Sequence, residues 1–308
     1  MARSDLTYGD VTGEYLALRN DAAVVRGMHE ALTVRGSDAV SFLNGILTQD
    51  VEGLQVGAVA RSMLLTTRGK VRALLWLLRG GDEVILIADQ GTGTAVAEDL
   101  ARFKIRVDVQ IDDPVPVVEV WGPNATEGFA DAPDDGWVRT AGGVVARVPL
   151  PGVPRFMLTG DVDVGGLRSA GLVAATAVRV EAGEPLTGRD LDEKTLVHET
   201  GLDTESVSYS KGCYLGQEVV ARIEYRGHVN RMLRGITLGT NVLPPEGAAL
   251  MAGDREVGRL TSVSESLSLR APVGLSLLRV DTGDDVEVTW DTGTAPARVH
   301  ELPMFTNI

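Results

Sequence analysis

The chain has 308 residues, 44% of them hydrophobic, which is enough for roughly two or three folded domains and excludes a disordered protein. It carries 43 acidic against 29 basic residues, a formal net charge of −14, and such a surface repels the phosphates of nucleic acids. A single cysteine excludes an internal disulfide and an iron–sulfur cluster held by several cysteines of one chain.

The sequence also indicates where the protein works. The first residues contain no apolar signal core. The longest uncharged apolar-rich run, residues 170–178, is far shorter than the ~18 residues of a membrane span. We therefore expect a cytoplasmic protein that does not cross a membrane.

The first third of the chain predicts a helix followed by a hairpin. Ser37 or Asp38 can cap a helix whose apolar residues recur at helical spacing over residues 39–46. Two apolar runs, residues 71–78 and 84–88, are typical of strands, and the Gly-Gly-Asp turn between them favours a hairpin.

The next elements complete an α+β pattern. Val96, Leu100 and Phe103 predict one face of a helix. Apolar residues then alternate with polar ones over residues 105–111, as in a half-buried strand. The order strand, strand, helix, strand predicts an α+β domain with mostly antiparallel pairing.

The second half of the chain changes character twice. Residues 164–173 predict a helix, and residues 182–210 form a polar, turn-rich stretch of the kind that often makes a binding loop. After residue 230, five short apolar runs are separated by Gly, Pro and Asp, which predicts a small antiparallel barrel or sandwich. We therefore divide the chain at residues 1–230 and 231–308.

Several common functional motifs are not supported. The glycine-rich segment at residues 91–96 has Val96 where a dinucleotide loop needs its third glycine. No G-x-S-x-G nucleophile elbow occurs, and the four histidines have no metal-ligand spacing, so no metal site is predicted.

The only cysteine lies in the octapeptide from Lys211 to Glu218, which reads KGCYLGQE. Gly212 and Gly216 flank Cys213, and glycines allow a sharp turn and the close approach of another molecule. Lys211 and the start of a predicted helix both favour the thiolate form. The pattern predicts an accessible, activated thiol, and the alternative is a small buried side chain.

The octapeptide continues into a locally basic segment, residues 219–235, which contains a single acid, Glu224. In an acidic protein such a segment can receive an anion, and the alternative is a solvated face with ordinary ion pairs. It is the one feature that favours direct RNA binding, which the net charge opposes. Its basic residues are Arg222, Arg226, Arg231 and Arg234.

The octapeptide resembles the signature of the YgfZ proteins, which are folate-binding relatives of the glycine-cleavage T-protein, an aminomethyltransferase. Residues 34–51, residues 64–70 with their Arg68-Gly69-Lys70 turn, and residues 257–262 are similar to other blocks of that family. The resemblance extends over nearly the whole chain, and the octapeptide is its most specific part.

This resemblance implies a three-domain α+β fold around a central opening. Two interleaved α/β domains with mostly antiparallel sheets occupy residues 1–230, and a β-barrel follows at residues 231–308. Tetrahydrofolate or a one-carbon derivative is expected in the middle. In the T-protein relatives a glutamate of an Arg-x-Glu-Ala-Gly run accepts the pterin N–H groups, and Glu181 matches that position. The other expected folate contacts are Lys211, Gly212, Tyr214, Gly216, Gln217 and Arg222, with Cys213 as the reactive group.

The resemblance implies a function and leaves an alternative open. YgfZ relatives support the assembly, maintenance or repair of iron–sulfur clusters in client enzymes, among them tRNA-modifying enzymes, so such clients are the expected protein partners. The alternative is a folate-dependent aminomethyltransferase or another one-carbon transferase. T-proteins place an aspartate near the reactive folate nitrogen, whereas this chain has Ala95 or Val96 there. A non-catalytic folate-binding module is the third reading.

Overall fold

The computed structural model describes residues 6–305, which form two β-sheets with helices packed against the first. The helices are α1 (Val11–Asn20), α2 (Ala39–Asn44), α3 (Gly93–Ala101), α4 (Ala125–Gly128), α5 (Leu172–Ala182), α6 (Asp203–Ser206) and α7 (Gln217–Arg226), with a 3₁₀ turn at Val197–Thr200. None of the described helices is long and apolar enough to cross a membrane.

The first sheet has ten strands. They are β1 (Ala23–Arg35), β2 (Val59–Leu65), β3 (Val71–Arg79), β4 (Glu83–Asp89), β5 (Gln110–Ile111), β6 (Val115–Trp121), β7 (Trp137–Arg139), β8 (Gly143–Arg147), β9 (Arg155–Gly160) and β10 (Arg168–Ser169). Eight of them form the path β2-β3-β4-β1-β6-β9-β8-β7, while β5 and β10 pair with β1. Every pairing except β1 with β10 is antiparallel.

Strand β1 joins the two halves of this sheet. Its first residues pair with the end of β6, its later residues pair with β4, and the register with β6 shifts between Arg26 and Glu30. A bulge of this kind bends a strand and increases its twist. Helices α2 and α3 bury Leu43 and Val96 against one half, while α1 and α5 bury Leu18 and Val178 against the other.

The second sheet begins at Arg231 and has seven antiparallel strands. They are β11 (Arg231–Leu238), β12 (Ala249–Ala252), β13 (Arg255–Arg259), β14 (Ser262–Ser266), β15 (Ala271–Arg279), β16 (Asp285–Trp290) and β17 (Gly293–His300). Ile236, Leu250 and Val288 are fully buried at its centre. The architecture is α+β, with two curled antiparallel half-barrels and a C-terminal barrel, which confirms the predicted fold class.

Local predictions agree with the structure where the apolar pattern is dense. The hairpin is confirmed by the antiparallel pairing of β3 with β4. The strand at residues 105–111 is wrong: Ile105 is 72% exposed, Arg106 has a positive φ, and only Gln110–Ile111 pairs. The helix at residues 164–173 is also misplaced, because α5 begins at Leu172, after Gly171. A side chain at Gly171 would lie 2.3 Å from the Leu6 carbonyl oxygen, so the close approach of another segment sets this helix start.

Candidate functional site

A cavity of about 660 Å³ lies where the first sheet, the loops after β8 and α5, and the C-terminal domain meet. Sites for small organic molecules usually have volumes of about 300–1,000 Å³. Polar and apolar side chains alternate around the wall, with prolines and leucines on the β8–β9 loop and at the C-terminal end. Its charged side chains are Arg61, Arg147, Arg155 and Arg234 with Asp134, Asp135, Glu184, Glu205 and Glu301.

The innermost part of the wall is a buried charge cluster centred on Glu184. One carboxylate oxygen, Oε1, accepts a 2.9 Å hydrogen bond from Arg155. The other, Oε2, lies 3.4 Å from Arg61 and has no hydrogen-bond partner. Burial by itself raises a carboxyl pKa, but the two arginines outweigh it and lower the pKa of Glu184 to about 2. Glu184 is therefore an ionised carboxylate whose Oε2 is buried beside Arg61 without a hydrogen bond.

Both arginines are held in place by aromatic side chains. The Arg61 guanidinium lies 4.2 Å from the centre of the Trp76 ring, and Arg155 lies between the rings of Trp76 and Trp121 at 5.8 and 5.9 Å. Cation–π contacts of desolvated arginines contribute about 2 kcal/mol each. The cationic floor of the cavity is therefore preformed.

A second buried network lies behind this floor. His29 is 3% exposed, its Nδ1 lies 2.7 Å from Glu119, and its Nε2 lies 3.5 Å from Asp89. Burial opposes protonation of the ring, but Glu119 and Asp89 prevail and raise the pKa of His29. Burial also raises the pKa of Asp89, which accepts a 2.7 Å hydrogen bond from the backbone of Thr187. A titratable group therefore lies directly behind Trp76 and Glu184.

Glu181 lies near the end of α5, next to the cavity wall but not on it. Its side chain is fully buried, and Oε1 accepts a 2.7 Å hydrogen bond from the Tyr15 hydroxyl. Its Oε2 lies 3.8 Å from Arg19 without a hydrogen-bond partner. The Tyr15 hydroxyl also contacts Ser268 of the C-terminal domain, so this carboxylate lies at a domain junction.

Arg179 has a similar position, one half-turn earlier on the same helix. Its guanidinium is fully buried and donates to Asp190 at 2.9 Å and to Ser262 of β14 at 2.6 Å. Asp190 also accepts 2.6 Å hydrogen bonds from Ser262 and Thr261. Arg179 therefore contacts the C-terminal domain directly, whereas the Glu181 carboxylate is linked to it through the Tyr15 hydroxyl.

The octapeptide is anchored by Lys211 and Tyr214. The Lys211 ammonium donates all three of its hydrogen bonds to backbone carbonyls, those of Asn44, Leu47 and Gln49, at 2.6, 2.9 and 2.8 Å. Burial lowers the pKa of Lys211 to about 8. Tyr214 is packed in an apolar core with residues of β2 and β3, and burial raises its pKa to about 12. Both side chains point into the protein, and the three donors of Lys211, which was predicted to favour the thiolate, all bond to backbone carbonyls and not to the thiol.

Gly216 serves a close contact between backbones. It has a φ of +81°, and a side chain there would lie 2.7 Å from the Thr66 carbonyl oxygen and 3.0 Å from the Gly69 Cα. The Arg68-Gly69-Lys70 turn thus packs directly against the octapeptide, where α7 then begins at Gln217. The sequence singled out both segments but not their contact.

Cys213 is exposed, as predicted from its glycine neighbours. A side chain added at Gly212 would meet no atom within 4 Å, so the thiol is on an open surface. Arg222 is exposed on α7. None of the predicted contacts of the octapeptide lines the cavity at Glu184, and the thiol is part of a separate, accessible surface.

The basic segment after the octapeptide divides in the structure. Arg231 donates two 3.1 Å hydrogen bonds to Glu199, and Arg234 pairs with Glu301 at 3.1 Å. Only Arg234 of the four lines the cavity. Arg231 therefore fits the alternative of an ordinary ion pair, because Glu199 already neutralises its charge.

Sequence reasoning missed the central charge cluster of Arg61, Arg155, Trp76 and Glu184. The signal that could have found part of it is a charged residue within a strand, because Arg61 lies inside the buried run of β2. Arg155 begins a strand and Glu184 follows a helix, so only the tertiary contact identifies them.

Comparisons with known proteins match most of the chain. The family model of the GCVT N-terminal domain matches residues 5–137, and that of the glycine cleavage T-protein C-terminal barrel domain matches residues 231–306. An aminomethyltransferase of Moorella thermoacetica is 27% identical over 97% of this chain and 90% of its own length. One of Thermus thermophilus is 28% identical over 97% and 91%.

A solved structure has the same fold. The crystal structure of glycine cleavage system aminomethyltransferase T from Bartonella henselae matches with a TM-score of 0.87 at 22% identity, over 97% of this chain and 91% of that one. Val96, one of the two residues at which the family resemblance implies a carboxylate, is 2% exposed and packed in the apolar core.

Proposed function

We propose that the chain binds tetrahydrofolate or a one-carbon derivative in its central cavity. The premise is that it carries both the N-terminal domain and the C-terminal barrel of the glycine-cleavage T-protein family. The observation that carries this proposal is the ionised Glu184 carboxylate in the cavity wall, whose buried Oε2 lies 3.4 Å from Arg61 and has no hydrogen-bond partner. A pterin edge presents adjacent N–H donors, which such an oxygen can accept.

The rest of the cavity fits the remainder of a folate. Leu150, Leu202 and Leu233 offer an apolar wall for the flat ring system. At the same cavity Arg147 and Arg234 pair with acids that are themselves about 80% exposed. Such solvated pairs contribute little, about 0–1 kcal/mol, so a ligand carboxylate can replace the acid. The glutamate end of a folate supplies such a carboxylate.

Glu184 and Glu181 are the two candidates for the pterin contact, and ligand titration of their variants distinguishes between them. Tetrahydrofolate binding is measured by calorimetry for the wild type, Glu184→Gln and Glu181→Gln, with Glu193→Gln, an exposed residue outside the cavity, as the control. Loss of one charge-assisted hydrogen bond weakens binding by about 10- to 100-fold, and we expect this loss for Glu184→Gln. A loss confined to Glu181→Gln would assign the contact to Glu181, as the family resemblance implies. No binding by the wild type would refute the folate proposal.

We further propose that the folate-bound protein supports the maintenance or repair of iron–sulfur clusters in client enzymes, with Cys213 at the contact. The exposed thiol beside an open Gly212 is accessible to a large partner. The test is complementation of a deletion strain with the wild type and with Cys213→Ser, read out as the activity of cluster-containing enzymes. We expect the serine variant to fail. Full complementation by Cys213→Ser would exclude the thiol from the function.

A second candidate is folate-dependent aminomethyl transfer, favoured by relatives that bear this name over 97% of the chain. The apolar residues Ala95 and Val96 oppose it, because proton transfer at the folate nitrogen needs a positioned acid or base. Turnover assays with an aminomethylated lipoyl carrier and tetrahydrofolate decide between the two. Turnover in this assay would show that the protein is an aminomethyltransferase and would overturn the proposed accessory role.

A further inference from the structure

A cluster of potential metal ligands lies on the outer side of the cavity wall. It consists of His198 in the 3₁₀ turn, Asp203 at the start of α6, and Glu224 in α7. One ligand atom from each residue lies within 4.8 Å of the others. Three separate segments thus bring one imidazole and two carboxylates to one point.

The distance between His198 and Glu224 fits a small transition-metal ion. Nε2 of His198 lies 3.3 Å from a carboxylate oxygen of Glu224. Two ligands at about 2.0–2.1 Å from a tetrahedral zinc ion are themselves about 3.3 Å apart. Nδ1 of His198 is buried without a partner, so Nε2 is the ring nitrogen that faces the carboxylates.

The cluster also carries uncompensated negative charge. Within residues 6–305, neither Asp203 nor Glu224 forms an ion pair with a lysine or an arginine, and His198 is the one basic partner of Glu224. The Tyr209 hydroxyl lies 3.3 Å from the same Nε2. A cation is the species that this environment favours.

Helix α7 has little else to hold it. Val220 is its only buried residue, although the helix has ten. One buried valine contributes about 1.5–3 kcal/mol, and the other apolar residues of the helix, Val219, Ala221 and Ile223, are only half-buried, so polar contacts add to its attachment. Glu224 makes such a contact, with His198 of the 3₁₀ turn. A bound ion would link this helix, which directly follows the octapeptide, to the segment that lines the cavity.

We propose that His198, Asp203 and Glu224 bind a divalent transition-metal ion that links α7 to the 3₁₀ turn. The imidazole nitrogen favours zinc or a related metal over magnesium and calcium, which prefer oxygen ligands alone. Water completes the coordination, and the Tyr209 hydroxyl would then donate to the Glu224 carboxylate, because the ion occupies Nε2 of His198. The proposal does not depend on folate binding.

Metal binding is tested with the purified full chain, by calorimetric titration with zinc and by the visible absorption of bound cobalt. We expect one zinc ion per chain, and an affinity lowered at least about 10-fold in Glu224→Gln and in His198→Ala. Glu224 is exposed, so its variant keeps the fold, which circular dichroism checks. Two controls should bind zinc as the wild type does: Glu218→Gln, elsewhere on α7, and Cys213→Ser, which removes the soft thiol ligand.

The link to α7 has its own measurement. Zinc should slow proteolysis within α7 in the wild type and not in Glu224→Gln, because the ion restrains local opening. Absence of zinc binding overturns the proposal. Zinc affinity unchanged by His198→Ala, or lost in Cys213→Ser, assigns the ion elsewhere and also overturns it. Zinc binding without protection of α7 would refute the linking role.

Discussion

Replacing Glu184 by glutamine removes one negative charge from the buried cluster while keeping the shape of the side chain. Its folded-state pKa of about 2, against 4.5 for an unperturbed glutamate, corresponds to about 3 kcal/mol of stabilisation by the ionised form at about pH 7. In the variant Arg155 and Arg61 remain buried, and Arg155 loses its charged partner. We therefore expect the free energy of unfolding to fall by about 3 kcal/mol.

The pH dependence gives the sharper test. Because the folded pKa is depressed, the stabilisation is present above the unfolded pKa of 4.5 and is lost as the pH falls through about 2. At about pH 3 the same two pKa values leave about 1.4 kcal/mol, roughly half of the neutral-pH difference. Urea unfolding of the wild type and Glu184→Gln at both pH values measures this change. A difference below about 1 kcal/mol at neutral pH, or one that does not shrink in acid, would refute the reasoning.

Three further predictions concern the anchoring contacts. Gly216→Ala should lower the free energy of unfolding by about 2 kcal/mol or more, because the backbone at Gly216 is left-handed and tightly packed. The control Gly212→Ala, in open space, should change it by less than about 0.5 kcal/mol, and equal effects of the two variants would contradict the packing. Lys211→Met should cost about 2 kcal/mol, since three carbonyls lose their donor, and an unchanged melting temperature would show that water replaces it. Arg179→Met should lower the free energy of unfolding by about 3–5 kcal/mol and make the domain junction accessible to proteases, because it breaks a buried ion pair. Arg189→Met, which removes an exposed ion pair, should lower it by less than about 1 kcal/mol, and similar values for the two variants would contradict a stabilising role of the buried Arg179–Asp190 pair.

The octapeptide shows most clearly what can and cannot be predicted from the sequence. Its glycines and lone cysteine predicted an exposed thiol, because local backbone freedom and small neighbours are properties that a short segment carries by itself. The direction of Lys211 was not predictable from that segment. Its ammonium bonds to carbonyls more than 160 residues earlier in the chain, and such contacts exist only after folding.

By itself, the sequence determined the fold class, the hairpin of β3 and β4 and the late change to a barrel, since periodic apolar patterns encode which faces are buried. Which residues form the candidate site was decided only by the tertiary structure. Arg61, Arg155 and Glu184 come from a strand, another strand and a post-helix loop, and their charges are strong only because they meet inside a dry interior. His198, Asp203 and Glu224 likewise lack any ligand spacing in the chain and acquire one when α7 folds back onto the 3₁₀ turn. Electrostatic sites depend on distances through space, which one-dimensional spacing does not record.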